Sequence, residues 1–339
     1  MSLFVFGPSR GPRWQIGVQA ALGIGVPIAV MTLLGRPTLG YIAASGAFTV
    51  LYATSASVRE RARILPVIAA ALIVCAGLGV AVAHTPLLVN IGLVGVSVAT
   101  AALAFGFRLG PPGPLFFILV FGLSATVMSA SPVAPLTYIA AIASGCAFSY
   151  LVSLAPLVLP RVRAQRSQQL RVMYPGPSWD ADARMLVLRV AIVAVVGVLI
   201  GLFLDPGRAY WIVGAAVAVI GVAAARRAAV QRAQHRLLGT IAGAGVYALL
   251  ALLHPVGLWL ALLLAALQFS IELVVVRHYA LALTLITPLV LLLLGAATGS
   301  AGDMSVALER IVDTLAGAVL GAASGFLHPR EPTISKAPV

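Results

Sequence analysis

The chain reads as an all-α integral membrane protein with about 12 transmembrane helices, built as two parallel six-helix repeats. Three observations predict this. Of the 339 residues, 61% are hydrophobic and 9% charged, whereas a soluble domain is nearer half apolar and a quarter charged. The apolar residues fall into runs long enough to cross a bilayer, which takes about 20 residues of helix. Landmarks of the first half also return in the second, about 170 residues later. Open sheet cannot satisfy its backbone in lipid, so the spans are helices.

The elements follow in order. The first repeat, 1–159, carries spans expected at 15–34, 38–57, 64–83, 86–106, 115–131 and 135–159. Arg10 and Arg13 precede the first span, which runs straight on into a hairpin, unlike a cleavable leader. Next comes a basic cytoplasmic linker, 160–184, too short for a domain of its own and suited to lie on lipid headgroups. The second repeat, 185–328, carries spans at 185–204, 209–225, 238–253, 256–276, 279–298 and 307–327, and a cytoplasmic tail, 329–339, closes the chain. Gly and Pro inside these spans are tolerated because neighbouring helices satisfy the freed backbone groups.

Charge orients the chain. The formal net charge is +13. The basic residues sit between apolar runs, so they set topology or touch anionic lipid, and nucleic acid is not the expected partner. With a cytoplasmic N-terminus, only Arg36, Arg208 and Arg310 of the 22 Lys and Arg residues fall outside. That asymmetry places both termini in the cytoplasm. Arg greatly outnumbers Lys, with Lys336 the sole lysine, and Ala, Val and Gly abound, which suggests a bacterial inner membrane. Cys75 and Cys146 lie inside apolar runs and read as small buried hydrophobes.

The repeat is legible residue by residue. Tyr41 in GRPTLGY parallels Tyr210 in DPGRAY, and His84 in AHTPLL parallels His254 in LHPVGL. Arg63 parallels Arg236, and Arg108 parallels Arg277. A unit with an even number of spans keeps its orientation when copied, so the repeat is parallel. One fused chain then stands for a dimer of single units, and a homo-oligomer of such chains remains open.

Three segments resemble the fusaric acid resistance and aromatic acid exporter family, the FUSC-like membrane proteins. They are RAYWIVGAAVAVIG at 208–221; RRAAVQRAQHRLLGTIAGA with Arg236, Gly239, Thr240 and Gly243; and RHYALALTLITPLVLLLLG followed by ERIVDTLAGAVLG with Arg310, Asp313, Thr314 and Gly317. The likeness covers about 184–328, and the first half looks like a diverged copy. It implies a transporter that exports aromatic or other organic acids, with plant relatives that are anion channels. Many bacterial members carry a large cytoplasmic domain, which this sequence does not contain. A major facilitator also has two six-helix halves, but the basic loop ASVRERARILP lacks that family's Gly- and Asp-containing pattern.

The candidate residues are the charges in or near apolar runs. Glu309, Arg310 and Asp313 fall in the first turns of the last span. The i,i+3 spacing of Arg310 and Asp313 and the i,i+4 spacing of Glu309 and Asp313 place them on neighbouring faces. The cluster either pins the helix start or binds an anion at Arg310, with a carboxylate that competes or takes up a proton. In the first copy the matching stretch, LTYIAAIASGCAF, has Tyr138 and no charge, which favours function. Glu272 either pairs with a cytoplasmic arginine or accepts a proton. Arg226, Arg227, Arg232 and Arg236 anchor the inner face or form a basic vestibule that gathers anionic substrate. Tyr210 and Trp211 belong to an interfacial aromatic belt or to a stacking wall for an aromatic acid.

Gly-x-Ser-x-Gly, His-Glu-x-x-His and phosphate-loop patterns are absent, as is any metal-ligand cluster. The expectation is therefore a transporter without enzymatic activity or cofactor. An ion gradient, most simply protons, or the membrane potential would drive it. A passive anion channel and a scaffold subunit that carries nothing are the alternatives.

Overall fold

A computed structural model of the chain describes residues 13–164, 168–174, 176–221, 226–300 and 302–327. The tail 329–339, and with it Arg330 and Lys336, lies outside the described residues, as do Arg10 and Arg166. The described residues form fourteen α-helices. In chain order they are α1 (Trp14–Leu33), α2 (Pro37–Ala44), α3 (Val58–Val82), α4 (Pro86–Gly106), α5 (Leu115–Ala130), α6 (Pro135–Leu154), α7 (Pro160–Arg163), α8 (Leu170–Met173), α9 (Ala181–Leu204), α10 (Ala209–Ile220), α11 (Arg226–Ala251), α12 (Gly257–Val274), α13 (Tyr279–Thr298) and α14 (Met304–Ala323). A 3-10 segment, Ser45–Leu51, continues α2, and another, Pro206–Arg208, leads into α10.

Local chemistry explains the boundaries. Pro37, Pro86 and Pro135 open α2, α4 and α6, where a missing N–H costs nothing. Ser57 and Glu60 cap α3 reciprocally: each side chain accepts the other residue's backbone N–H. Asp180 and Asp303 cap α9 and α14 by accepting the N–H of Ala183 and Ser305. Gly221 at φ 60° and Gly299 at φ 79° end α10 and α13 in conformations that other residues resist.

Seven helices are long and apolar enough to cross a membrane: α1, α3, α4, α6, α9, α12 and α13. The other five expected spans are helical but fall short for two reasons. Pro37–Leu51, Leu115–Ala130 and Pro206–Ile220 are short; fifteen residues of helix reach about 22 Å against a hydrocarbon core of about 30 Å. The remaining two, α11 and α14, carry charge. Helix α11 starts at Arg226, well before the expected 238, because RRAAVQRAQHR is rich in Ala, Arg and Gln, which favour helix regardless of polarity.

Helices α10 and α14 pack in parallel, Gly317 against Ile212 and Gly321 against Ala216, and so do α11 and α13, Gly239 against Ala280 and Gly243 against Thr287. One end of the bundle gathers Arg13, Arg61, Arg232 and the linker; the opposite end holds Asp205, Arg208, Asp303 and Glu309. Within the first half, α3 packs on α5 and α6, and α2 with its 3-10 extension packs on α6. Within the second, α11 packs on α13 and α14, and α10 packs on α14. Across the halves α1 lies on α12 and α4 on α9, while α2 meets α13 and α5 meets α10. The two larger apolar cores therefore both draw on both halves. One joins α3–α6 to α9 and α10; the other joins α1 and parts of α2 to α11–α14. Large apolar side chains such as Leu87, Phe203 and Leu262 are exposed around the bundle, as a lipid-facing surface requires. Cys75 and Cys146 are free and buried.

Candidate functional site

The site is built on α10, α11 and α14. Glycine lets α14 come close to α10: a Cβ at Gly317 would collide with the carbonyl of Ile212, and one at Gly321 would lie 2.6 Å from that of Ala216. Gly239 and Gly243 do the same for α11 against α13, where added methyls would meet Ala280 and Thr287. These close approaches draw Arg310, Trp211 and Arg236 into the interior.

Arg310 is 6% exposed, and its guanidinium carbon lies over the Trp211 ring, 3.8 Å from the centroid. Tyr210 and Trp211 are in mutual contact, with ring centroids 4.6 Å apart. Both are buried, so they are not interfacial belt residues. The ring of Tyr210 fills the space left by Gly122 of α5, which ties the site to the first half. Arg236 donates to the hydroxyl of Tyr279 at 3.2 Å and lies within electrostatic range of Arg310.

Hydrogen bonding is incomplete here. Nε and Nη1 of Arg310, Nε of Arg236, both carboxylate oxygens of Asp313 and the hydroxyl of Thr314 are buried without a hydrogen-bond partner. Buried polar groups in proteins are mostly hydrogen-bonded; single orphan atoms occur elsewhere in the molecule, as at Asn90 and Ser149, but here several gather on Arg310, Asp313 and Thr314. The i,i+3 spacing suggested that Arg310 would neutralise Asp313, yet the ion-pair partner of Asp313 is Arg208, with Nε 3.6 Å from Oδ2. Stacking on Trp211 turns the Arg310 guanidinium to a different neighbour. Arg208 also forms an ion pair with Glu309 and approaches Asp205 at 3.7 Å.

The expected basic vestibule divides into three environments. Arg226 and Arg227 are exposed, line a cavity with Val230 and Gln231, and Arg226 stacks on Phe326. Arg232 donates to the carbonyls of Val219 and Ile220 at 2.7 and 2.6 Å, so it caps the C-terminus of α10. Arg236 is buried about 15 Å along α11, because the helix begins so early.

Glu272 is buried and bonded to Arg13, whose Nη2 donates to Oε2 at 2.9 Å and whose Nε donates to the Glu272 carbonyl. Gln268 donates to its other oxygen at 3.3 Å. This pair joins α12 to the start of α1, a partner some 260 positions away that helical spacing could not indicate.

Three residues gain importance that spacing alone did not suggest. Arg208 read only as an outer-loop cation. Arg61 is buried and donates to the Gln19 side chain and the Val50 carbonyl at 2.8 Å, and to Ser153 at 3.4 Å. Arg189 is fully buried and donates to Ser324 at 3.2 Å. The expected match of Arg63 with Arg236 is not one of environment, since Arg63 is exposed.

Residues 191–324 match the model of the family described as fusaric acid resistance protein-like. The chain is also similar to an uncharacterized membrane protein, YvaC, of Bacillus subtilis strain 168: 29% identical over 144 residues, covering 42% of this chain. Those residues span 22% of the relative's length. No solved structure matches.

Proposed function

From the premise that residues 191–324 belong to the fusaric acid resistance protein-like family, we propose that the chain carries small organic anions across a membrane, exporting carboxylates such as aromatic acids. The observation that carries this reading is the under-satisfied charge set on α11 and α14. Two guanidinium groups, Arg310 and Arg236, share the interior with one carboxylate, Asp313, and retain unpartnered N–H groups. A bound organic carboxylate would accept from those groups and balance the excess charge. Trp211, already in contact with Arg310, offers a wall for the carbon skeleton of an aromatic acid. A proton on Asp313 removes the internal counter-charge and leaves both arginines to the substrate, which links anion movement to protons. Glu272, held by Arg13, serves this role less well than Asp313.

The reading includes a membrane crossed twelve times by two related six-helix halves, with both termini cytoplasmic. Its support is the way contacts recur. Arg61 bonds the Val50 carbonyl and Ser153, while Arg232 bonds the Val219 carbonyl and Arg189 bonds Ser324; Gln19, a partner of Arg61, stands where Arg189 stands in the second half. Each of these matched positions is about 170 residues from its counterpart. Gly145 abuts the Ala43 carbonyl as Gly317 abuts that of Ile212.

The test is flux in proteoliposomes loaded with aromatic and aliphatic carboxylates, with and without a pH gradient. Gradient-dependent movement of one acid is expected, reduced about tenfold or more in Arg310→Gln, the weight of a lost charge-assisted hydrogen bond. Movement that follows voltage and ignores pH makes the protein a channel. A folded protein that moves no acid sinks the transport reading and leaves the scaffold.

A further inference from the structure

Arg208 sits in the turn between α9 and α10, and its guanidinium bridges two carboxylates of very different exposure. The Asp313 side chain is 1% exposed and lies beside the under-satisfied Arg310. The Glu309 side chain, on the preceding turn of α14, is 41% exposed and faces the bundle end. Arg208, at 21%, stands between them and is held by Glu309, with Asp205 3.7 Å away. Its Nε is buried and makes no hydrogen bond, although it lies within ion-pair range of two acids. Arg208 is thus well compensated in charge, with three carboxylates in range, while its buried Nε N–H lacks a hydrogen-bond acceptor.

We propose that Arg208 is a second ligand for the transported carboxylate, on the path between Arg310 and the bundle end that carries Glu309. Glu309 is its intramolecular stand-in. The Glu309 carboxylate is the same functional group as the cargo, so it occupies the guanidinium when no cargo is present and must yield when cargo arrives. The path then holds two cationic stations in series, Arg310 inside and Arg208 nearer the end, and the acid of α14 keeps the second from trapping the anion. This inference rests on the reading of the chain as an organic-anion carrier.

The two substitutions that break the Arg208–Glu309 pair then act in opposite directions. In wild-type protein reconstituted in vesicles, benzoate and acetate serve as probes, and inhibition of flux by probe added at each face gives a sided affinity. Glu309→Gln removes the nearest of the three carboxylates around Arg208, leaving Asp313 and Asp205 on its Nε side, and is expected to tighten probe binding at the Glu309 face about tenfold, the weight of a carboxylate competitor on one guanidinium. Arg208→Gln is expected to weaken it by a similar factor. Binding at the opposite face stays unchanged in both. If the pair only pins α14 to the turn, both variants weaken transport alike and the swap Arg208→Glu with Glu309→Arg restores wild-type behaviour; either result overturns the proposal. Should Arg208→Gln fail to fold, Glu309→Gln decides alone, since no change or weaker binding overturns it. Wild-type protein that moves neither probe overturns the carrier reading itself, a failure distinct from carriers whose variants do not diverge.

Discussion

Trp211 is the residue on which Arg310 depends most directly, because a buried guanidinium without a carboxylate within bonding distance needs another source of stabilisation. A cation over an indole contributes about 0.5–2 kcal/mol, more when desolvated, and indole exceeds phenyl. Trp211→Leu is therefore expected to impair both stability and flux, and Trp211→Phe to retain part of each; thermal unfolding in detergent beside the flux assay measures this. At the membrane edge Asp180 offers a contrasting case. It is solvent-exposed, and the N–H of Ala183, aided by Arg108, holds its carboxylate below the usual range. A depressed folded value means the cap contributes fully at neutral pH and is lost as pH falls through that value. Asp180→Asn keeps a capping oxygen but removes the charge. It should flatten the acid limb of the stability profile, as unfolding measured across a pH series would reveal.

The short helices α2 and α10 define the next scale. Each ends well inside the bundle, and carbonyls at its C-terminal end need donors that water cannot supply. Arg61, in the first turn of α3, supplies Val50 at the end of the 3-10 extension of α2, and Arg232, in the second turn of α11, supplies Val219 and Ile220 at the end of α10. Removing either leaves a buried acceptor unpaired, which costs about 1–3 kcal/mol. Arg61→Gln and Arg232→Gln should each lower the melting temperature, and Lys should rescue only partly, lacking the planar fork. Glycine plays the complementary role between helices. Gly145→Val, forced against the Ala43 carbonyl, should separate α6 from α2 and abolish folding, visible as loss of a monodisperse peak on size exclusion.

At the scale of the molecule the two halves are interleaved and do not sit side by side. Helix α1 lies on α12 and α4 on α9, and the cores mix both halves. Neither half buries its apolar faces alone. Co-expressed fragments 1–164 and 168–339 are expected to co-purify as one complex, whereas each alone aggregates. Glu272→Gln, which weakens the clasp of Arg13 on α12, should loosen that complex; the yield of the co-purified pair is the measurement.

Composition and periodicity by themselves determined the membrane-protein class and the helical segments, because these depend on residue type and short spacing alone, and three motifs carried the likeness to the family whose model residues 191–324 match. Composition and periodicity also isolated several of the charges worth following, among them Arg310, Asp313 and Glu272, but not Arg61, Arg189 or Arg208. Tertiary structure alone decided which charge meets which. Arg310 and Asp313, neighbours on one helix, turn to Trp211 and Arg208. Glu272 reaches Arg13 across most of the chain, and Arg232 closes a helix end. A long guanidinium stem can serve any partner within its reach, and in a dry interior the nearest unsatisfied group wins whatever its place in the sequence.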